Sequence, residues 1–104
     1  MIDVRETDEF VEWIQSLRDS IGQKRILYRI RKLQATGHWG DVKTLKGTGG
    51  IKEMRIDSGP GYRVYAVQTG RTIVILLCGG DKSSQDADMH KAARVAARLS
   101  MEQE

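Results

Sequence analysis

Cysteine, histidine and long apolar runs are scarce in this sequence of 104 residues. The one cysteine, Cys78, excludes an internal disulfide, and its strongly apolar surroundings predict a buried thiol. With only two distant histidines, His38 and His90, the chain has no metal-ligand spacing. No stretch approaches the roughly 18–20 consecutive apolar residues that span a bilayer, and the N-terminus has no export segment. The sequence therefore predicts a cytosolic protein without a membrane anchor.

Two glycine-rich stretches, KGTGGIK and GGDKSS, lack the spacing of a phosphate-binding P-loop. A nucleotide-hydrolysing enzyme is therefore not predicted, and both stretches are better interpreted as flexible loops close to an open site. The two glycines of the second stretch are expected to let the backbone approach a substrate.

Length and charge favour one domain with a polyanionic partner. A chain of 104 residues forms one modest core, so a single domain over residues 1–104 is predicted. The net charge of +3 divides unevenly along the chain, with −4 for residues 1–23, +8 for 24–82 and −1 for 83–104. A basic zone of this kind on a small domain favours nucleic acid as the partner.

Hydrophobic periodicity predicts helices towards both ends of the chain and strands between them. Thr7 is the predicted N-cap of a first helix with apolar residues from Phe10 to Ile21, and Gly37 ends a second helix over 23–36. Extended segments are predicted over 1–5, 42–45, 51–57, 62–68 and 72–78, and a third helix begins at Ser83.

The order of these elements predicts a small α+β domain. An N-terminal strand and an αα-hairpin would pack on a mostly antiparallel three- to four-stranded sheet, with a C-terminal helix at the end. All helices are expected on one face of the sheet. Strand alternation then leaves the open face to four side chains: Glu53, Arg55, Arg63 and Tyr65.

Several pieces of the chain, taken in order, resemble a known family: LKG, IKEMRID, GPGYRVYAV, IVILLCGGDKSSQ and the Asp88–Met89 opening of the last helix. The chain is similar to the addiction-module killer proteins, which are HigB-like toxins of the RelE/ParE superfamily. The resemblance implies a RelE-like fold and a type II toxin that cleaves mRNA on the ribosome without a metal or nucleotide cofactor. It also implies a cognate antitoxin, often a HigA-like protein with a helix-turn-helix domain.

Cleavage of this type sends the 2′-hydroxyl of RNA onto the adjacent phosphate, so it requires proton transfer and stabilisation of negative charge on the phosphoryl oxygens. Arg63 matches the strand arginine of the family and is the first candidate for the phosphate, because a guanidinium grips two oxygens at once. Lys82 matches the basic position after the last strand. The predicted catalytic residues are Arg63, Lys82, Arg55 and Glu53, and the predicted substrate-binding residues are Lys46, Lys52, Tyr65, Ser83, Gln85 and His90.

The proton-transfer roles remain open in the sequence. Glu53 could act as a general base or serve as a structural partner of the arginines. Some relatives use a tyrosine or histidine at the start of the last helix; the matching DADMHKA has no tyrosine, and His90 could face solvent or the antitoxin.

Two other functions also remain open, a ParE-like poison of DNA gyrase and a weakly active member that binds its antitoxin and regulates an operator. The cationic set of Arg55, Arg63 and Lys82 favours the nuclease.

Overall fold

The computed structural model describes residues 1–102 and confirms the α+β fold, with these elements in chain order. They are β1 (Asp3–Glu6), α1 (Asp8–Ser16), α2 (Ser20–Thr36), β2 (Val42–Thr44), β3 (Lys52–Ile56), β4 (Tyr62–Thr69), β5 (Ile73–Asp81), a 3₁₀ turn (Lys82–Ser84) and α3 (Gln85–Glu102). None of the helices in residues 1–102 is both long enough and apolar enough to cross a membrane.

The sheet has five strands in the order β1-β5-β4-β3-β2. β1 runs parallel to β5 at one edge, and the remaining neighbours are antiparallel. The sheet exceeds the predicted three to four strands because the N-terminal segment pairs with β5. The register between β4 and β5 also shifts between Tyr65 and Ala66, because Leu77 of β5 has no partner in β4. Such a shift is typical of a β-bulge.

The first helix of the αα-hairpin starts at the predicted cap, but the second helix starts earlier in the chain than predicted. The Thr7 hydroxyl accepts the Phe10 amide at 3.1 Å and caps α1, as predicted. However, Asp19 accepts the Gly22 amide at 3.0 Å and begins a new helix. Ile21 therefore belongs to α2 rather than to the apolar stripe of α1, and it lies on the outside. Gly37 ends α2 in the left-handed conformation, also as predicted.

Helices cover both faces of the sheet, so the prediction of one open face is wrong. The α1 and α2 side packs on Met54, Val64 and Leu76. The opposite side packs α3, through residues such as Ala92 and Val95, on Tyr65, Leu77 and Cys78. The apolar run of β5 requires this double cover, because its side chains alternate between the two faces.

Gly79 and Gly80 are buried inside β5 and have packing roles. A Cβ atom on Gly79 would overlap the ring of Trp13, and one on Gly80 would overlap the Asp88 carboxylate. The expectation that these glycines let backbone approach a substrate is therefore wrong. They allow α1 and α3 to approach the sheet from opposite sides.

The last helix starts differently from the predicted cap at Ser83. Asp81 is the capping residue and accepts the Ser83 amide at 2.8 Å, while the Ser84 hydroxyl accepts the Asp81 amide at 3.3 Å. This capping box begins a 3₁₀ turn that contains Lys82, and regular α-helix follows from Gln85.

Candidate active site

Three basic side chains meet at one end of the sheet. Arg55 of β3 lies directly opposite Arg63 of β4 in the antiparallel ladder. Lys82 follows β5, and its amide donates to the Gly61 carbonyl at 2.9 Å, which holds the 3₁₀ turn against the β3–β4 connection. These three side chains line a concavity of about 430 Å³, together with Asp41, Ile56, Asp57, Gly59, Pro60 and Gly61.

The two arginines are incompletely satisfied within the described chain. Like charges directly opposite each other in a sheet are destabilising. Arg55 is compensated by an ion pair with Asp41 at 2.8 Å. Among residues 1–102, the Arg63 side chain has only a long contact of 3.4 Å to the Tyr62 carbonyl. The Nε atoms of both arginines are buried and lack a hydrogen-bond partner among residues 1–102. An anion in the concavity would balance the charge of the two guanidinium groups.

Glu53 lies in the same strand as Arg55 but is 1% exposed, beneath α3. Its Oε2 atom accepts hydrogen bonds from the Tyr65 hydroxyl at 3.1 Å and from the side-chain amide of Gln85 at 2.8 Å. Tyr65 is fully buried, and burial together with the Glu53 carboxylate raises the pKa of Tyr65 above its ordinary value. The prediction that Glu53 and Tyr65 share an open face with the arginines is wrong, because α3 covers their part of the sheet.

This buried network has a positional consequence for Lys82. Gln85 is the first residue of α3 and directly follows the 3₁₀ turn of Lys82–Ser84. Its bond to Glu53 attaches the beginning of the helix to β3. The network therefore holds the turn that carries Lys82 beside the two arginines.

The remaining predicted binding residues do not line the concavity. Lys46 is exposed in the turn after β2. Lys52 precedes Glu53 in β3, so its side chain lies on the opposite face of the sheet. Its ammonium group lies 5.6 Å from the ring centroid of Trp39.

The two predicted binding residues nearer the last helix are exposed. Ser83 donates to the Asp81 carboxylate, and this hydrogen bond lowers the pKa of Asp81. His90 is exposed on α3, with Nδ1 2.9 Å from the Asp86 carbonyl.

Asp41 is a site residue that the sequence analysis did not identify. Its side chain pairs with Arg55, and its carbonyl accepts the Arg55 amide at 2.9 Å. Arg29 of α2 supports this arrangement by donating to the carbonyls of Trp39, Asp41 and Arg55 at 2.7–3.1 Å. The available signal was weak: Asp41 is one of few acids in a basic segment, and its 14-residue separation from Arg55 follows no local pattern.

Other reactive groups are poorly placed for chemistry. Cys78 is buried, and this burial raises the pKa of its thiol to about 12, which makes it a weak nucleophile. In the part of the chain that the structure describes, no three His, Cys, Asp or Glu side chains gather as a metal site would require.

Comparisons with known proteins place the chain in a family. The family profile described as "Phage derived protein Gp49-like (DUF891)" matches residues 12–100. The chain is also similar to an uncharacterized protein of Haemophilus influenzae, with 42% identity over 100 residues that cover 96% of this chain and 98% of that protein. The chain therefore belongs to the Gp49-like family, a toxin-like family of the RelE/ParE type that is associated with toxin–antitoxin systems.

Proposed function

We propose that this chain is a HigB-like toxin of a type II toxin–antitoxin system and inhibits translation as a ribosome-dependent mRNA endoribonuclease. The observation that carries the proposal is the meeting of Arg55, Arg63 and Lys82 in one concavity. Membership of a toxin-like family supports the biological role.

The proposed reaction needs no cofactor. The 2′-oxygen loses its proton and attacks the adjacent phosphorus; the bond from phosphorus to the 5′-oxygen breaks, and that oxygen takes up a proton. The products are a 2′,3′-cyclic phosphate and a 5′-hydroxyl. Negative charge increases on the phosphoryl oxygens in the transition state, where fixed cations are most effective.

Each basic residue has a proposed part in this reaction. Arg63 binds the scissile phosphate through two guanidinium N–H groups. Lys82 adds positive charge from the turn after β5. Arg55 contributes a third cation, and its pairing with Asp41 holds its guanidinium in the concavity.

Glu53 has a positioning role in this proposal rather than that of a general base. It is buried, and its Oε2 atom already accepts two hydrogen bonds. A site that is rich in cations but poor in accessible bases would depend on the ribosome to orient the 2′-oxygen for in-line attack. The proposed partners are accordingly mRNA and the ribosome in the cytoplasm, with a helix-turn-helix antitoxin of HigA-like type as the inhibitor.

Primer extension on one mRNA tests this function. Purified protein is incubated with the mRNA in the presence and absence of translating ribosomes. We expect new 5′ ends only during translation. Intact mRNA in both reactions, with protein that is folded by circular dichroism, would contradict the nuclease. A gyrase supercoiling assay would then separate a gyrase poison from a regulatory antitoxin-binding member.

A further inference from the structure

A groove lies between α2 and the end of β3, on the face of the sheet opposite to α3. It has a volume of about 430 Å³ and is lined by Ile21, Lys24, Arg25, Tyr28, Arg29, Ile56 and Asp57. Ile56 and Asp57 also line the cationic concavity, so the two depressions adjoin at the end of β3.

The groove exposes large apolar side chains. Ile21 is 64% exposed and Tyr28 is 63% exposed, and the other strongly exposed large apolar residues in the described chain, Met1 and Met101, lie near the termini. Ile21 and Tyr28 are seven residues apart, which is about two helical turns or 10 Å along α2. The two tryptophans, Trp13 and Trp39, are instead partly buried against the core. Exposed aromatic and aliphatic side chains in a groove are typical of protein-binding surfaces.

The rim of the groove carries positive charge that is not neutralised. α2 contains five basic residues and no acidic one. Lys24 and Arg25 are exposed, and neither lies within 4.0 Å of an acidic side chain among residues 1–102. Arg29 donates to backbone carbonyls at 2.7 Å, and Arg25 makes a longer contact of 3.4 Å to the carbonyl of Asp57, the acidic residue of the lining. The exposed cations therefore favour an anionic partner.

We propose that this groove binds an acidic, amphipathic helical segment of a protein partner. Apolar side chains of the segment would fill the space between Ile21 and Tyr28, and its carboxylates would face Lys24 and Arg25. A helix in a groove presents apolar residues at the same two-turn spacing as α2. Ile21 favours a protein over RNA, because nucleotide bases can stack on Tyr28 but have no comparable contact for an exposed aliphatic side chain.

The position of the groove gives the contact a consequence. An occupant would lie beside the end of β3, next to Arg55 and Arg63, and would bring negative charge close to the cationic concavity. The inference rests on the exposed apolar pair Ile21 and Tyr28 and on the exposed cations Lys24 and Arg25. It does not depend on the nuclease chemistry.

Two synthetic helical peptides test the proposal, each of about five turns with the same leucine stripe. The remaining positions are glutamate in one peptide and lysine in the other. Binding to the full chain is followed through backbone amide NMR shifts at physiological salt, with a mixed-sequence single-stranded RNA as a third probe. We expect the acidic peptide to bind and to shift amides of residues 21–29 and 56–57. The lysine peptide should not bind.

Matched variants show whether binding uses the groove. Tyr28→Ala should weaken the acidic peptide about 10-fold or more, as loss of an interface anchor does. Lys24→Glu/Arg25→Glu should abolish its binding, while Arg31→Glu/Lys32→Glu removes the same charge from α2 outside the groove and should have little effect.

Three outcomes would overturn the proposal. They are failure of the acidic peptide to bind the folded wild-type chain, equal loss of binding in the two charge-reversal variants, and RNA shifting the groove amides when the acidic peptide does not. Each is independent of whether the chain cleaves mRNA.

Discussion

Arg55 and Arg63 face each other across two neighbouring strands, at a pairing position that two cations would normally avoid. Asp41 relieves only one of them, and both Nε atoms stay without a partner in the described chain. Such an arrangement costs stability in the absence of an anion, which is consistent with the proposed role of both arginines in binding phosphate.

The first prediction concerns these cations. Arg63→Ala and Lys82→Ala should each slow mRNA cleavage about 100-fold or more, as loss of a donor that stabilises a transition-state anion does. Arg63→Ala should leave thermal stability unchanged or slightly higher, because it removes a like-charge pair. Primer extension and thermal unfolding provide the measurements.

Arg71→Ala is the matched control for both variants, because it removes one charge from the exposed β4–β5 turn. A folded Arg63→Ala/Lys82→Ala variant that still cut mRNA at the wild-type rate would refute the assignment of the site.

The second prediction concerns Gly79. Gly79→Ala should lower the free energy of unfolding by about 1–3 kcal/mol, because the added methyl group overlaps the Trp13 ring. Urea unfolding measures the loss. In a Trp13→Ala background the same change should cost clearly less, since the space is then free. An equal cost in both backgrounds would show that Trp13 is not the reason for the glycine.

Among the elements, the beginning of α3 has the most direct effect on the site. The 3₁₀ turn carries Lys82, and two attachments hold the turn: the Asp81–Ser84 capping box and the bond from Gln85 to Glu53. The helix thus covers the buried part of the sheet and at the same time positions a cation at the uncovered end.

The third prediction tests that attachment. Gln85→Leu removes one of the hydrogen-bond donors to the buried Glu53 carboxylate. This loss should lower the free energy of unfolding by about 1–3 kcal/mol. Amide hydrogen exchange should accelerate at residues 82–84 more than in β4. The exchanged pair Glu53→Gln/Gln85→Glu restores a donor and an acceptor and should recover much of the protection. Uniform acceleration over the whole chain would indicate a general loss of stability instead.

At the scale of the whole molecule, α1 and α3 lie on opposite faces of the sheet, yet side chains of the two helices form an ion pair. Arg98 of α3 makes a two-pronged ion pair with Glu9 of α1. The hydrogen bond from Arg98 lowers the pKa of Glu9 from 4.5 to about 2. A carboxyl group with a depressed pKa stabilises the folded state above its unfolded-state pKa and loses this contribution as the pH falls.

The fourth prediction follows from that pKa. The contribution of Glu9 should be complete above about pH 5 and should decline as the pH falls from 4.5 towards 2. Arg98→Met should lower the free energy of unfolding by about 0.2–1 kcal/mol at pH 7, which is the range of exposed ion pairs. The difference in stability between this variant and wild type should be smaller at pH 3, as measured by the midpoints of urea unfolding. Arg94→Met, which removes an exposed cation of the same helix, should show no such convergence.

Much of the fold was predictable because its signals are local. The cap at Thr7, the end of α2 at Gly37 and the apolar run of β5 each depend on a few neighbouring residues. The division between α1 and α2 was predicted but placed too late, after Ile21, because Asp19 starts the second helix inside a continuous apolar period. For the site, the bond of Glu53 to Gln85 spans 32 residues, which no local pattern encodes.

By itself, the sequence determined the kinds and order of the elements and the resemblance to RelE/ParE-type toxins, because caps, periodicity and short motifs are local properties of the chain. Only the tertiary structure decided which face is covered and which charges meet. The alternation of β3 places Glu53 and Arg55 on one face of the sheet, but α3 covers the first and stops short of the second. Burial, which separates a structural carboxylate from accessible cations, is a property of the packed molecule.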